Sequence, residues 1–320
     1  MNLVFFDIEC ASVFKTIAKI CAFGYVVCDE QFNIIQREDI LINPKGKFHL
    51  TDGRGEHGLV LPYEYEDFKN YPKFPAVYPK IKQLLEDENN IVFGHSILND
   101  IKYLDLETNR FKLPSFNFSF SDSQLMYMTA INDFSRQFGL EYITKDLNVE
   151  FTPHRAADDA YATMKIVEAM CKRYDMSVTQ LEEHLQIKRG RIKRHQVTKP
   201  TSATFDEYCT QRELNKKDRA ERRTKFFMFL SRKRVKKSGK LVGTTFNFSR
   251  NIEDEIELSI PLVTQIYEHG GRYTQKLTDC NMYVCRKGDE TVRTHNAKQI
   301  EGLNVIDVDE LKGMLDGQSS

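Results

Sequence analysis

A chain of 320 residues with zero formal net charge, 41% hydrophobic and 29% charged residues has the composition of an ordinary globular protein and, by length, of two domains. No run of about 18 apolar residues exists to span a bilayer as a helix, and Met1–Asp7 lacks the basic start of a signal peptide, so neither a membrane partner nor a secreted chain is expected. The seven Cys are odd in number and scattered without a C-x-x-C, which argues against a disulfide framework or structural zinc and for reduced thiols in a cytoplasmic protein, or a nuclear one in a eukaryote.

In chain order, Leu3-Val4-Phe5-Phe6 is a buried strand leading into Asp7-Ile8-Glu9. Ile20 to Val27 and Ile34 to Ile42 are two more strands, separated by the turn residues Asp29-Glu30-Gln31. Tyr78 to Glu86 has apolar residues at helical spacing, and Ile91-Val92-Phe93-Gly94 is a short strand. Helices are expected around Ile97, Ile101 and Leu104, over Ser123 to Ala130, and over Ala156 to Met170. Strands that meander and then alternate with helices predict an α/β fold, a mixed sheet flanked by helices, with a first domain over 1–178.

The zero net charge conceals an asymmetry, because Lys188 to Lys240 holds 19 Lys or Arg against five Asp or Glu. Its turn formers Lys199-Pro200-Thr201-Ser202 and Ser238-Gly239 make 179–239 a basic linker. Such a run serves as a solvated connector, as an electrostatic contact to nucleic-acid phosphates with counterion release, or as a nuclear-import signal in a eukaryote. Residues 240–316 then form a smaller pattern. A strand at Leu241–Phe248 precedes a helix opened by Pro261 and stopped at Gly270-Gly271; strands 272–275 and 282–285, helix 296–301, strand 305–306 and helix 308–315 follow, in the order βαββαβα.

Four acids and a histidine carry the chemistry. On an extended strand Asp7 and Glu9 project to one side while Phe6 and Ile8 project to the other. Paired carboxylates repel unless a cation neutralises them, and hard oxygen ligands suit Mg²⁺ or Mn²⁺, although acids at strand ends are also commonly just solvated. Asp100 shares a helix side with the apolar Ile97, Ile101 and Leu104, where an acid without a partner is costly; as a first-turn Asp it also benefits from the macrodipole. In Pro153-His154-Arg155-Ala156-Ala157-Asp158-Asp159, Asp158 falls in a row with Lys165 and Lys172, whereas Asp159 falls with Thr163, Ile166 and Met170 and therefore turns inward. A His just before a helix N-terminus is kept neutral by the dipole and can take a proton, or simply caps the helix.

Together, Phe6-Asp7-Ile8-Glu9, Gly94-His95 followed by Asp100, and His154 followed five residues later by Asp159 resemble the three motifs of the DEDDh 3′→5′ exonucleases, the DnaQ-like group with a ribonuclease H-like fold, over residues 1–175. The resemblance implies that Asp7, Glu9, Asp100 and Asp159 hold two Mg²⁺ or Mn²⁺ ions. It also implies that His154 is the general base in hydrolysis of the 3′-terminal phosphodiester, releasing nucleoside 5′-monophosphates. Cys10-Ala11-Ser12 stands where the family often has Thr-Thr-Gly, and Asn99 where an aromatic residue commonly precedes the second Asp. Both departures touch substrate preference rather than metal ligation.

Phe246-Asn247-Phe248-Ser249, Glu268-His269-Gly270-Gly271-Arg272, Ala297 and Val305-Ile306-Asp307-Val308 resemble a BRCT domain of the bacterial ligase and clamp-loader type over 240–316. By position Ser249 and Arg293 match the phosphate-binding pair of some members, which implies a DNA end phosphate or a phosphorylated protein as ligand; Arg for the usual Lys keeps the charge and adds bidentate geometry. Arg250 stands where many members have Gly, and the third helix lacks their Trp. The function expected is thus a metal-dependent 3′→5′ exonuclease on single-stranded DNA or 3′ ends, in DNA repair, replication or degradation. An exoribonuclease and a non-catalytic nucleic-acid-binding scaffold are the alternatives.

Overall fold

The structure, a computed structural model, describes residues 1–14, 16–46, 65–149 and 155–316. It divides into two compact units, Met1–Cys209 and Thr210–Ser320. In the first, β1 (Asn2–Phe14), β2 (Ile17–Cys28) and β3 (Ile34–Leu41) form an antiparallel meander. Then come α1 (Tyr65–Phe68), α2 (Phe74–Glu86), β4 (Asn90–Gly94), α3 (Leu98–Arg110), β5 (Phe118–Asp122), α4 (Ser123–Ile131), α5 (Leu140–Asp146), α6 (Ala156–Tyr174) and α7 (Val178–His184). Strands β4 and β5 join β1 in parallel.

The period-two alternation of β1 assigns its two faces. Leu3 and Phe5 bury against Met126, Met164 and Val167 of α4 and α6, whereas Val4, Phe6 and Ile8 bury against Ile81, Ile101 and Leu104 of α2 and α3. Each such side chain contributes about 1.5–3 kcal/mol on burial, which fixes the strand's register between two helical layers. The strand also runs further than the apolar run suggests. Cys10 to Phe14 stay extended and pair with Ile17 to Ile20, with register shifts at Cys10.

The segment expected as a linker is largely folded. Strands β6 (Ile187–Lys188), β7 (Gly190–Lys193), β8 (Gln196–Thr198) and β9 (Thr201–Ser202) lead into α8 (Ala203–Arg232). β7 pairs antiparallel with β5, and β8 with β7, so the sheet order is β3-β2-β1-β4-β5-β7-β8. The reason is local: Ile192 is fully buried under the sheet edge, and Arg189 donates at 3.1 Å to both carboxylate oxygens of the buried Glu182, which also accepts from Ser121 on β5. Gly190 and Ile192 are buried and alternate with the exposed Arg191 and Lys193, the period of a half-buried strand whatever the charge of its outer face.

In the second unit β10 (Thr245–Phe248), α9 (Arg250–Glu253), α10 (Ile256–Glu268), β11 (Arg272–Tyr273), β12 (Met282–Cys285), α11 (Val292–Lys298), β13 (Asn304–Asp307) and α12 (Val308–Asp316) build a four-stranded parallel sheet of order β11-β10-β12-β13. The first long helix starts at Ile256, with Pro261 inside it rather than at its head. Burial of Leu262, Val263, Ile266 and Tyr267 outweighs the one hydrogen bond that Pro261 removes. Helix α11 begins four residues before the expected Asn296, because the Thr291 hydroxyl caps it by accepting from the Thr294 N–H at 3.3 Å. Gly270, with φ of 83°, takes the left-handed position that closes α10. No helix among the described residues is long and apolar enough to cross a membrane.

Candidate metal centre

The site is assembled across one row of the sheet. Asp7 on β1 pairs with Gly24 on β2, and Gly24 pairs with Asp39 on β3. A Cβ at Gly24 would lie 2.0 Å from both the carbonyl carbon of Ala156 and the nitrogen of Ala157. Only glycine therefore lets the first turn of α6 come down onto the strand. That close approach delivers Asp159 to the acids of β1: Asp7, Glu9 and Asp159 each place a carboxylate oxygen within 4.8 Å of the others'. This spacing suits shared coordination of a hard cation, and all three residues stay partly open to solvent.

Asp100 stands outside that triple, 5% exposed, in the first turn of α3. Its charge is nevertheless felt. Asp7 is pushed well above the usual carboxylate range, by loss of hydration first and then by the charges of Asp100, Glu9, Asp159 and Asp39. Glu9 rises to about 7, through burial and the charges of Asp159 and Asp39. Asp100 is also raised well above its ordinary value by burial, against which its own amide and that of Ile8 act. Acids that raise one another in this way have the chemistry of a site built for a cation, and the donor set of hard oxygens fits Mg²⁺ or Mn²⁺.

Asp158 turns the other way. It is ion-paired with Arg37, whose guanidinium lies 4.5 Å from the centroid of the Tyr161 ring. His154 lies outside the described residues. His95 is half-buried: its Nε2 is 3.1 Å from the Phe138 carbonyl, which can only accept, so Nε2 carries the proton and Nδ1 accepts from the Ser123 hydroxyl at 3.0 Å. Burial lowers its pKa to about 4, which keeps the ring neutral and makes it a brace between β4 and the segment ending at Phe138.

Two carboxylates escaped the reading of the sequence. Asp122 accepts from Ser96 N–H at 3.0 Å, where Ser96 has a φ of 53°, and from the N–H groups of Gln124 and Leu125, capping α4. An acid directly before an apolar helix is a signal that could have found it. Asp39 accepts from the Ala157 N–H at 2.9 Å. Nothing local marks it, since its role depends on the cross-strand register.

In the second unit Ser249 is fully buried after β10, and its backbone N–H donates to Val284 at 2.8 Å. Burial works to raise Asp289, yet the Thr291 amide and the hydroxyls of Thr291, Ser249 and Thr294 hold it below its ordinary value. Arg293 donates to Asn247 Oδ1 at 2.9 Å and to the Gln275 carbonyl at 3.0 Å, and pairs with Glu253 at 3.4 Å.

The clustered acids lie midway along the first strand of a mixed sheet, under the first turn of a helix, an arrangement that can hold a divalent cation. The family model described as Exonuclease (RNase_T) matches residues 4–167, half of the chain, and the chain belongs to that family. No curated protein matches it closely enough to be counted a relative. Among solved structures it is similar to one described as recognition of a histone mRNA stem-loop by a 3′-exonuclease, at 12% identity over 63% of this chain and 71% of that one, with a TM-score of 0.47. It is similar to a full-length 3′-exonuclease at 13% identity over 63% and 90%, with a TM-score of 0.46. It is also similar to E. coli exonuclease I in complex with a dA16 oligonucleotide, at 17% identity over 57% and 42%, with a TM-score of 0.43; the chain spans less than half of that protein.

Proposed function

We propose that the chain is a divalent-metal-dependent 3′→5′ exonuclease acting on DNA, releasing nucleoside 5′-monophosphates. One observation carries this: Asp7, Glu9 and Asp159 converge within 4.8 Å in a chain of the exonuclease family, with Asp100 buried beside them. These four acids would hold two Mg²⁺ or Mn²⁺ ions, which when bound supply an acidified water and neutralise charge at the scissile phosphate. The carboxylates' own part is to bind and to stay ionised once neutralised. His154, two residues before Ala156 in the sequence, is the proposed general base that takes the water's proton, a step worth roughly 10²–10⁴ in rate. The positive end of α6 lies among the acids and favours negative charge there.

DNA is proposed over RNA because of the second unit. Its βαββαβα order and parallel β11-β10-β12-β13 sheet support the resemblance to BRCT domains, modules that accompany DNA transactions. Arg212, Lys216, Lys217 and Arg219, exposed along α8, supply cations to neutralise backbone phosphates. Phosphate binding by Ser249 and Arg293 ranks below these, because a phosphate must compete with Glu253 and Asp289 for the two residues.

The test uses single-stranded DNA and RNA oligonucleotides labelled at either end, with and without Mg²⁺. The proposal expects a shortening ladder from the 5′-labelled DNA, immediate mononucleotide release from the 3′-labelled DNA, and neither without metal. Faster turnover of RNA would make the protein an exoribonuclease, and binding without cleavage would make it a scaffold.

A further inference from the structure

We infer that Asp39 is a positioning residue for the metal centre, acting through the backbone of α6 rather than by ligation. The inference rests on the reading of Asp7, Glu9, Asp100 and Asp159 as a cation site. The N-terminus of α6 has no cap of its own, because Arg155 at the cap position makes no side-chain cap bond. The amides of Asp158 and Asp159 are satisfied by the Arg155 carbonyl at 2.8 and 2.9 Å, which leaves the Ala157 N–H turned toward the sheet. Asp39 Oδ1 accepts that proton at 2.9 Å from a strand 118 residues earlier in the chain. It thus takes the place of a cap residue, from outside the helix.

Geometry makes this bond a determinant of where Asp159 stands. Asp7, Gly24 and Asp39 are successive members of one cross-strand row, and the Ala156–Ala157 backbone rests on the Gly24 in the middle. The helix end is therefore seated between Asp7 on one flank and Asp39 on the other. Asp159 follows Ala157 by two residues, so a shift of the anchored amide moves its carboxylate relative to those of Asp7 and Glu9. Coordination of a small hard ion tolerates little such movement. Outer partners that orient ligands typically change metal affinity 10–100-fold when removed.

Four full-length proteins distinguish position from charge: wild type, Asp39→Asn, Asp39→Glu and Asp39→Ala, each titrated with Mn²⁺ by calorimetry without nucleic acid, with circular dichroism to check the fold. Asparagine keeps the acceptor at the same reach and drops the charge; glutamate keeps the charge and moves the acceptor by one methylene. The inference expects Asp39→Asn to bind Mn²⁺ within about threefold of wild type, and Asp39→Glu and Asp39→Ala to bind about tenfold or more weakly. Asp39→Asn as weak as Asp39→Ala would show that Asp39 acts through its charge, and Asp39→Glu equal to wild type would show the same; either overturns the inference. Should Asp39→Ala fail to fold, the asparagine and glutamate proteins still decide. A wild type that takes up no Mn²⁺ would instead sink the cation site itself and the inference with it.

Discussion

In the first unit Asp100 is 5% exposed and the charges that press on it are those of other acids, Glu9 and Asp122. In the second unit Glu253 has no exposed surface at all, but Arg250 meets it at 2.8 Å, Arg293 at 3.4 Å and the Tyr273 hydroxyl at 2.8 Å. Both are buried carboxylates in the first turn of a helical segment. The difference is that the chain neutralises one from its own side chains and surrounds the other with like charge. A buried acid with its own cation is a structural fastening; a buried acid among acids awaits a cation from solution.

Asp7→Asn should lower the rate of 3′-end cleavage about 10³-fold, some 4 kcal/mol of transition-state stabilisation, with the fold intact by circular dichroism. Next in size is the fastening. Glu253→Gln leaves Arg293 and Arg250 without their buried counter-charge and should cost about 3 kcal/mol in urea unfolding, while cleavage per folded molecule stays at the wild-type level. Undiminished stability would mean that Glu253 and its arginines are no more than a surface pair.

Protons come third. Glu9 stands at about 7, above its ordinary value, so below that pH the folded site holds a proton that a metal ion must displace. Mn²⁺ affinity measured by calorimetry should therefore rise with pH through neutrality, about tenfold per unit on the acid side for each proton released. In the metal-free protein the same group binds more protons folded than unfolded between its ordinary value and 7, so its contribution to stability falls as pH rises across that window. The smallest effect sharpens the contrast: Asp100→Asn removes a charge that the fold resists and should raise metal-free stability by about 1 kcal/mol at pH 8, an advantage that saturating Mg²⁺ cancels. Destabilisation comparable to that of Glu253→Gln would erase the distinction between the two acids.

Much of the first unit could be read from residue order, because β1, β2 and α6 have strong apolar periodicity and the inward turn of Asp159 follows from its row on α6. That Asp159 belongs with Asp7 and Glu9 came only from the resemblance to the exonuclease motifs, and the structure brings the three carboxylates within 4.8 Å. Asp39 was not, since its partner is a backbone amide brought near by Gly24 and by pairing of three strands. The basic stretch misled because charge patterning reports what faces water; Gly190 and Ile192 face inward between the exposed Arg191 and Lys193, and that alternation makes β7 a strand. In the second unit Pro261 misled because helix start signals are weak beside the burial of Leu262, Val263 and Ile266.

The strands that close the sheet beyond β5 have a further consequence. A sheet ending at β5 would present Phe118 and Phe120 on an open hydrogen-bonding edge, a template for another copy of the chain. β7 and β8 cover that edge and replace it with short strands on which Arg191, Lys193 and Gln196 are exposed. Like-charged rims of this kind repel their own kind, so the basic segment also opposes edge-to-edge self-association.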